Sequence, residues 1–268
     1  MLENVYFDKA SKYTAEFVLT SDHSFSLRLN HTPQMLTENS IQSDTCLPEL
    51  MHSTAGAFSE TIYVYLPVVK AVIERDLPLH FLSIGLGLGY IEVMIIAYCL
   101  SQQKQVASVE SFEAVSFLGH YFINYFLEKY VPQKFVYCYN DIIQRNSVYF
   151  GVNQETLKSN IKDLILKKKI NINSKFTENS AVQNPAHGIF FDAFSQSSSP
   201  ELWTQSLFNN IFSKNCSAFD CIFATYASKG ILKTQLKNQG FVIHKKQGFF
   251  KKRECIFAER QFNKLPMS

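Results

Sequence analysis

Asp192 ends the run His187-Gly-Ile-Phe-Phe-Asp192, and a single carboxylate delivered by an apolar strand into a turn is a group able to orient an amine or accept its proton. Ile189, Phe190 and Phe191 make the strand, a short apolar run bounded by turn-forming residues. Beyond the turn, Ser199 is the expected N-cap of a helix, Pro200 its first residue, and Glu201 a first-turn acid suited to the helix dipole. Asp192 is thereby expected at the carboxyl end of a strand, the edge where open α/β sheets bind ligands. The competing reading of Asp192 alone is a turn-capping aspartate.

A second chemical element accompanies it. In Phe81-Leu-Ser-Ile-Gly85-Leu-Gly87-Leu-Gly89-Tyr90 an apolar strand enters a turn with glycines at alternate positions, and the apolar segment 91–100 leaves it. Glycine at such a turn lets a ligand approach the backbone and permits positive φ. The next strand, from Val106, is read as ending at Glu110, about twenty residues past Gly89, as expected of an acid that accepts from ribose hydroxyls. Gly85, Gly87, Gly89 and Glu110 are therefore the cofactor-binding candidates. Tyr90 stands where a dinucleotide fingerprint has Gly or Ala, so the pattern favours S-adenosyl-L-methionine over NAD; both carry an adenosine ribose. A glycine turn with no ligand is the remaining alternative.

Segments in order along the chain resemble the MnmC methyltransferase domain, half of a bifunctional tRNA-modifying enzyme. The resemblance is carried by Asp192-Ala-Phe-Ser with Pro200-Glu-Leu-Trp203-Thr, by Thr20-Ser-Asp22-His-Ser24, by Glu49-Leu-Met-His52-Ser53 through Gly56, by Ser108-Val-Glu110-Ser-Phe112, by Ala224-Thr-Tyr226, and by Gly248-Phe-Phe-Lys-Lys252-Arg253-Glu254. It implies methylation of the exocyclic amine of 5-aminomethyl-2-thiouridine at the tRNA wobble position, with S-adenosyl-L-methionine as donor and Asp192 orienting and deprotonating the amine. It also implies an adenine contact near Glu178 or Asn179. The chain has one glycine-rich nucleotide turn, so a separate enzyme is expected to supply the amine. Ser83, Gln196 and Ser199 differ from the family's usual residues. Other enzymatic readings are methyl transfer or aminopropyl transfer to another amine; a non-catalytic binding module is the alternative outside enzymology.

The nucleic-acid reading needs local rather than global charge, since 268 residues carry a formal net charge of only +3. Lys251, Lys252 and Arg253, beside Phe249 and Phe250 in a terminal hairpin, are the expected contacts to a tRNA anticodon loop, together with Phe194 near Asp192. The six cysteines are scattered with no C-x-x-C pair, which suits buried reduced thiols, no metal site and a cytoplasmic location. No stretch reaches membrane-spanning length.

Positioning these groups requires an α/β architecture. The expectation is a Rossmann-like class I fold with a mostly parallel seven-stranded sheet, strands near 81–84, 106–110, 170–176, 188–192, 218–225, 241–246 and 252–259, and the last antiparallel because the connecting turn is too short for a crossover. An N-terminal extension, 1–60, is expected to carry a hairpin over 12–30 and pack on the main domain, 61–268. Residues 133–169 are read as helical. With 46% hydrophobic residues, including 24 Phe and 13 Tyr, the chain has ample material for one large core.

Overall fold

Apolar residues on consecutive positions of the central strands give the sheet two buried faces, and helices cover both. The structure is a computed structural model and describes residues 5–7, 13–31, 49–250 and 254–260. Strands β1 (Val5–Phe7), β2 (Tyr13–Leu19) and β3 (Phe25–His31) form a small antiparallel sheet. Helix α1 (Ala57–Glu74) leads into the main sheet, built from β4 (His80–Ile84), β5 (Ser108–Phe112), β6 (Ile170–Asn173), β7 (Ala186–Phe191), β8 (Ser217–Thr225), β9 (Val242–Gln247) and β10 (Glu254–Glu259). Their spatial order is β6-β5-β4-β7-β8-β10-β9. Pairings among β4 to β8 are parallel, and β10 runs antiparallel to both β8 and β9, as the short connection requires.

Between the strands lie α2 (Tyr90–Ser101), α3 (Ser116–Phe126), α4 (Gln133–Phe150), α5 (Gln154–Leu166), α6 (Gln205–Ile211) and α7 (Gly230–Asn238). Helix α2 is apolar around nearly its whole circumference because α1, α4 and α5 pack over it. Side chains alternate across the sheet: Phe81 and Phe190 join the core beneath α1 and α2, whereas Leu82, Ile189 and Phe191 join Trp203, Phe208 and Phe212 on the opposite face. Among the described residues no helix is long and apolar enough to cross a membrane.

Two local expectations change. The helix anticipated after Ser199 is a 3-10 turn, Pro200–Trp203, which Ser199 does not cap with its side chain. The α-helix starts one turn later, where the Thr204 hydroxyl accepts from the Leu207 amide. The second parallel strand, expected over 106–110, occupies 108–112 and so ends two residues later.

The N-terminal sheet is bound to α1 by a borrowed cap. Gly56 offers α1 no capping side chain, so the turn between β2 and β3 supplies acceptors instead. The Asp22 carboxylate accepts from the Ser59 amide at 3.0 Å and the Ser59 hydroxyl at 2.7 Å, while Ser24 Oγ accepts from the Ala57 amide at 2.9 Å. Burial alone would raise the Asp22 pKa, but donors from Ser24, Ser59 and Thr20 outweigh it and hold the group at about 2. Arg145 of α4 grips the same turn through the carbonyls of Asp22 and His23. Position 60 therefore lies in the first turn of a helix that the hairpin caps.

Candidate active site

A cavity of about 300 Å³ opens at the carboxyl ends of β4, β5 and β7, within the size range of small-molecule sites. Gly85 and Gly87 form its floor beside β4, and Asp192 and Phe194 enter it just beyond β7. Gly85 is compelled by packing: at φ +100, an added Cβ would lie 2.4 Å from the Asp192 carbonyl oxygen. The backbones are further joined by the Asp192 amide donating to the Ile84 carbonyl at 2.9 Å. The glycine turn and the reactive carboxylate thus share one rigid seam.

Asp192 is held from behind. Tyr65 of α1, 1% exposed, donates its hydroxyl to Asp192 Oδ1 at 2.5 Å. Burial, and then the charge of Asp192, push the Tyr65 pKa well above its ordinary value, so the phenol stays a donor. Tyr226 donates to the Ala193 carbonyl at 2.9 Å, and Trp203 Nε1 donates to the Phe194 carbonyl at 2.9 Å. The following loop, where Gln196 is exposed, is tied down at Ser195, whose hydroxyl donates to Glu49 at 2.8 Å.

The acid facing the glycine turn is Glu113 rather than Glu110. Glu113 lines the cavity, accepting from the Gly87 amide at 2.9 Å and the Val115 amide at 2.8 Å. Burial raises its pKa although those amides pull the other way. Glu110 lies within β5, 4% exposed, with its carboxylate receiving Asn173 Nδ2 at 2.9 Å and the Gln183 amide at 3.3 Å, and it is outside the cavity lining. The cause is the later end of β5, which moves the strand terminus past Phe112.

Other expected site residues divide in the same way. Gly89 begins α2, and a Cβ there would strike the Phe122 ring at 2.3 Å; it serves helix packing and is not part of the lining. Glu178 and Asn179 are exposed in a turn after β6, also outside the lining. Because β6 ends at Asn173, the positions reaching the cavity come earlier, at Lys175 and Phe176. Phe176 stands edge-on to Phe112 with centroids 4.8 Å apart, an apolar wall suited to a flat ring. Lys251, Lys252 and Arg253 lie outside the described residues. Ser83 is fully buried within β4 and does not line the cavity.

The remaining wall comes from the N-terminal part of the chain: Leu29 of β3 and Glu49, Met51 and His52. Tyr90 explains itself here, since its hydroxyl donates to the Phe25 carbonyl at 2.7 Å and its ring meets His52 at 5.1 Å. A large residue after the glycines anchors the extension that closes the cleft.

The cleft suits a nucleoside-bearing cofactor. Gly87 leaves its backbone open beside Met51, Glu113 offers a buried carboxylate, and Phe112 and Phe176 offer apolar surface. Among the described residues no cluster of His, Cys, Asp or Glu fits a metal ion.

Comparison with known proteins agrees with this chemistry. A family model described as S-adenosyl-L-methionine-dependent methyltransferase matches residues 139–261. The tRNA 5-methylaminomethyl-2-thiouridine biosynthesis bifunctional protein MnmC of Leptospira borgpetersenii is 26% identical over 231 residues, covering 85% of this chain and 28% of that protein. MnmC of Marinomonas sp. is 37% identical over 79 residues, 30% of this chain and 11% of that protein. The chain thus spans little more than a quarter of the Leptospira relative's length. Among solved structures, MnmC2 from Aquifex aeolicus has a TM-score of 0.56 at 19% identity, covering 91% of this chain and 70% of that chain. Spermidine synthase from Thermotoga maritima has a TM-score of 0.52 at 9% identity, covering 97% and 73%, and shares the fold.

Proposed function

Because the chain is an MnmC-like S-adenosyl-L-methionine-dependent methyltransferase, we propose that its acceptor is the aminomethyl group of 5-aminomethyl-2-thiouridine at the tRNA wobble position. The observation that carries this reading is Asp192, which lines the same cavity as Gly85 and Gly87 and is fixed there by Tyr65. Glu113, Gly85, Gly87 and Phe176 would hold the cofactor, with the ribose hydroxyls donating to Glu113. The bound cofactor supplies a methyl group on a sulfonium; the amine lone pair forms the new N–C bond as the C–S pair returns to sulfur.

The protein's own contribution is alignment and proton management. An alkylamine resembles lysine and is cationic near neutrality, so it has no lone pair until one proton leaves. Asp192 accepts a hydrogen bond from that cation, orients it and takes its proton on the way to solvent. The same carboxylate then stabilises the cationic secondary amine formed by transfer. Tyr65 keeps the carboxylate aimed by holding Oδ1.

A wobble nucleotide lies in a single-stranded loop, so its amine is presented without breaking a base pair. Phe194, half-buried at the cavity, would contact the incoming nucleoside. Lys251, Lys252 and Arg253 would meet backbone phosphates, and a separate enzyme would generate the primary amine. The cytoplasm is where such an RNA acceptor is met.

The test is methyl transfer to tRNA from cells that accumulate the primary amine, followed by mass spectrometry of the nucleosides. The wild-type protein should yield the methylaminomethyl nucleoside, and Asp192→Asn should bind cofactor normally yet transfer at least about a hundredfold more slowly. Equal transfer by both proteins refutes the assignment of Asp192. Binding of tRNA should weaken with added salt and on neutralising Lys251, Lys252 and Arg253.

A further inference from the structure

The turn leaving β9 holds an aromatic ring in solvent at a conformational cost. Phe250 is 61% exposed, and its backbone sits at φ 54, a region disfavoured for a bulky side chain. The turn is pinned from beneath by Tyr63 of α1. Tyr63 donates its hydroxyl to the Gln247 carbonyl at 2.8 Å, and Lys246 Nζ donates to the Tyr63 carbonyl at 2.7 Å while lying 3.6 Å from the Tyr63 ring centroid. Phe249 packs on the same ring, with centroids 5.8 Å apart. One phenylalanine thus anchors the turn and the next is turned outward.

The place of this turn in the fold gives the ring its use. Since β10 runs antiparallel to β8 with Ile256 opposite Thr225, the β9–β10 connection lies at the carboxyl edge of the parallel strands, the edge that carries Asp192. Helix α1 serves both places, with Tyr63 on the turn and Tyr65 on Asp192. Positive charge surrounds the ring: the Lys245 side chain is 70% exposed in β9, and Lys251, Lys252 and Arg253 follow Phe250 in sequence. An exposed π face among cations, on the rim of a cleft, fits single-stranded nucleic acid, whose bases stack while its phosphates pair with the cations.

We propose that Phe250 is a stacking platform for an unpaired nucleobase flanking the nucleotide that enters the cleft. The proposal rests on the RNA acceptor proposed above and adds the residue that grips the neighbouring base. Stacking on one ring is sequence-tolerant, so the platform secures a loop without dictating which base follows.

The experiment uses the full chain and an RNA hairpin carrying 2-aminopurine in its loop, whose fluorescence falls on stacking. The wild-type protein should bind the hairpin and quench the probe. Phe250→Ala should bind about tenfold more weakly and lose the quenching, whereas Phe250→Trp should retain both, with cofactor affinity equal in all three. Equal affinity and quenching by Phe250→Ala overturn the platform, as does a wild-type protein that binds no RNA. Phe250-dependent binding without methylation of tRNA leaves the platform standing and instead sinks the proposed acceptor.

Discussion

Tyr65 and Asp192 are 127 residues apart in sequence, yet the buried phenol of one donates to Oδ1 of the other at 2.5 Å. A hydrogen bond to a charged group contributes more than one between neutral groups, and here it also fixes which way the carboxylate faces. Tyr65→Phe removes the donor while preserving the ring that packs against Phe190 at 6.0 Å. Transfer by this variant should fall by about tenfold to a hundredfold, with cofactor affinity unchanged. Single-turnover kinetics alongside calorimetric cofactor binding checks the split.

Glu113 makes the second prediction. Its buried carboxylate is raised in pKa, and as the proposed acceptor for ribose hydroxyls it loses acceptor capacity when protonated. Cofactor affinity should therefore be highest at neutral pH and fall on acidification, beginning above the ordinary carboxylate range. Glu113→Gln should bind roughly tenfold or more weakly and show a flat profile. Calorimetric titrations at several pH values measure both; a sloping profile that survives in the variant counts against Glu113.

Stability should respond to a different acid. Glu92 of α2 is fully buried, and burial lifts its pKa from 4.5 to about 7 against the pull of the Ser111 hydroxyl, which donates at 2.7 Å. Below the unfolded value the group is protonated in both states and costs no ionisation. As pH rises toward the folded value the unfolded chain ionises first, so stability falls, by at most about 3 kcal/mol across that window. Denaturant titrations from acid to neutral pH should show this decline, and Glu92→Gln should flatten it.

Gly85→Ala tests the seam between the glycine turn and Asp192. A methyl group 2.4 Å from the Asp192 carbonyl, at φ +100, must displace one strand end or the other. The expected loss is about 3 kcal/mol of stability, together with most transfer activity. Thermal unfolding and an activity assay decide it; a variant as stable and active as wild type would show that the turn yields freely.

The strand order and the antiparallel last strand follow from local patterns, because apolar runs such as Ile189 to Phe191 and the short link after Gln247 leave little topological choice. Asp192, Gly85 and Gly87 were legible for the same reason, each lying within two residues of an element boundary. Glu110 shows where that reading stops. Two acids, Glu110 and Glu113, flank Phe112, and only the length of β5 decides which one emerges at the sheet edge. Glu178 and Asn179 failed to reach the cavity through the same sensitivity, since β6 is shorter than its apolar run suggested. Tyr65 had no local signal: a tyrosine in a helix needs a partner for its hydroxyl, but the partner is chosen by tertiary packing.

Leu29, Met51 and His52 line the cavity although they precede the first strand of the main sheet. Anyone trimming this protein to its nucleotide-binding core would therefore remove a wall and not an appendage, and would also strip α1 of the acceptors at Asp22 and Ser24. The smallest unit able to enclose a ligand begins upstream of the Rossmann-like core, so an inactive truncation would report a breached vessel and say nothing about the chemistry inside it.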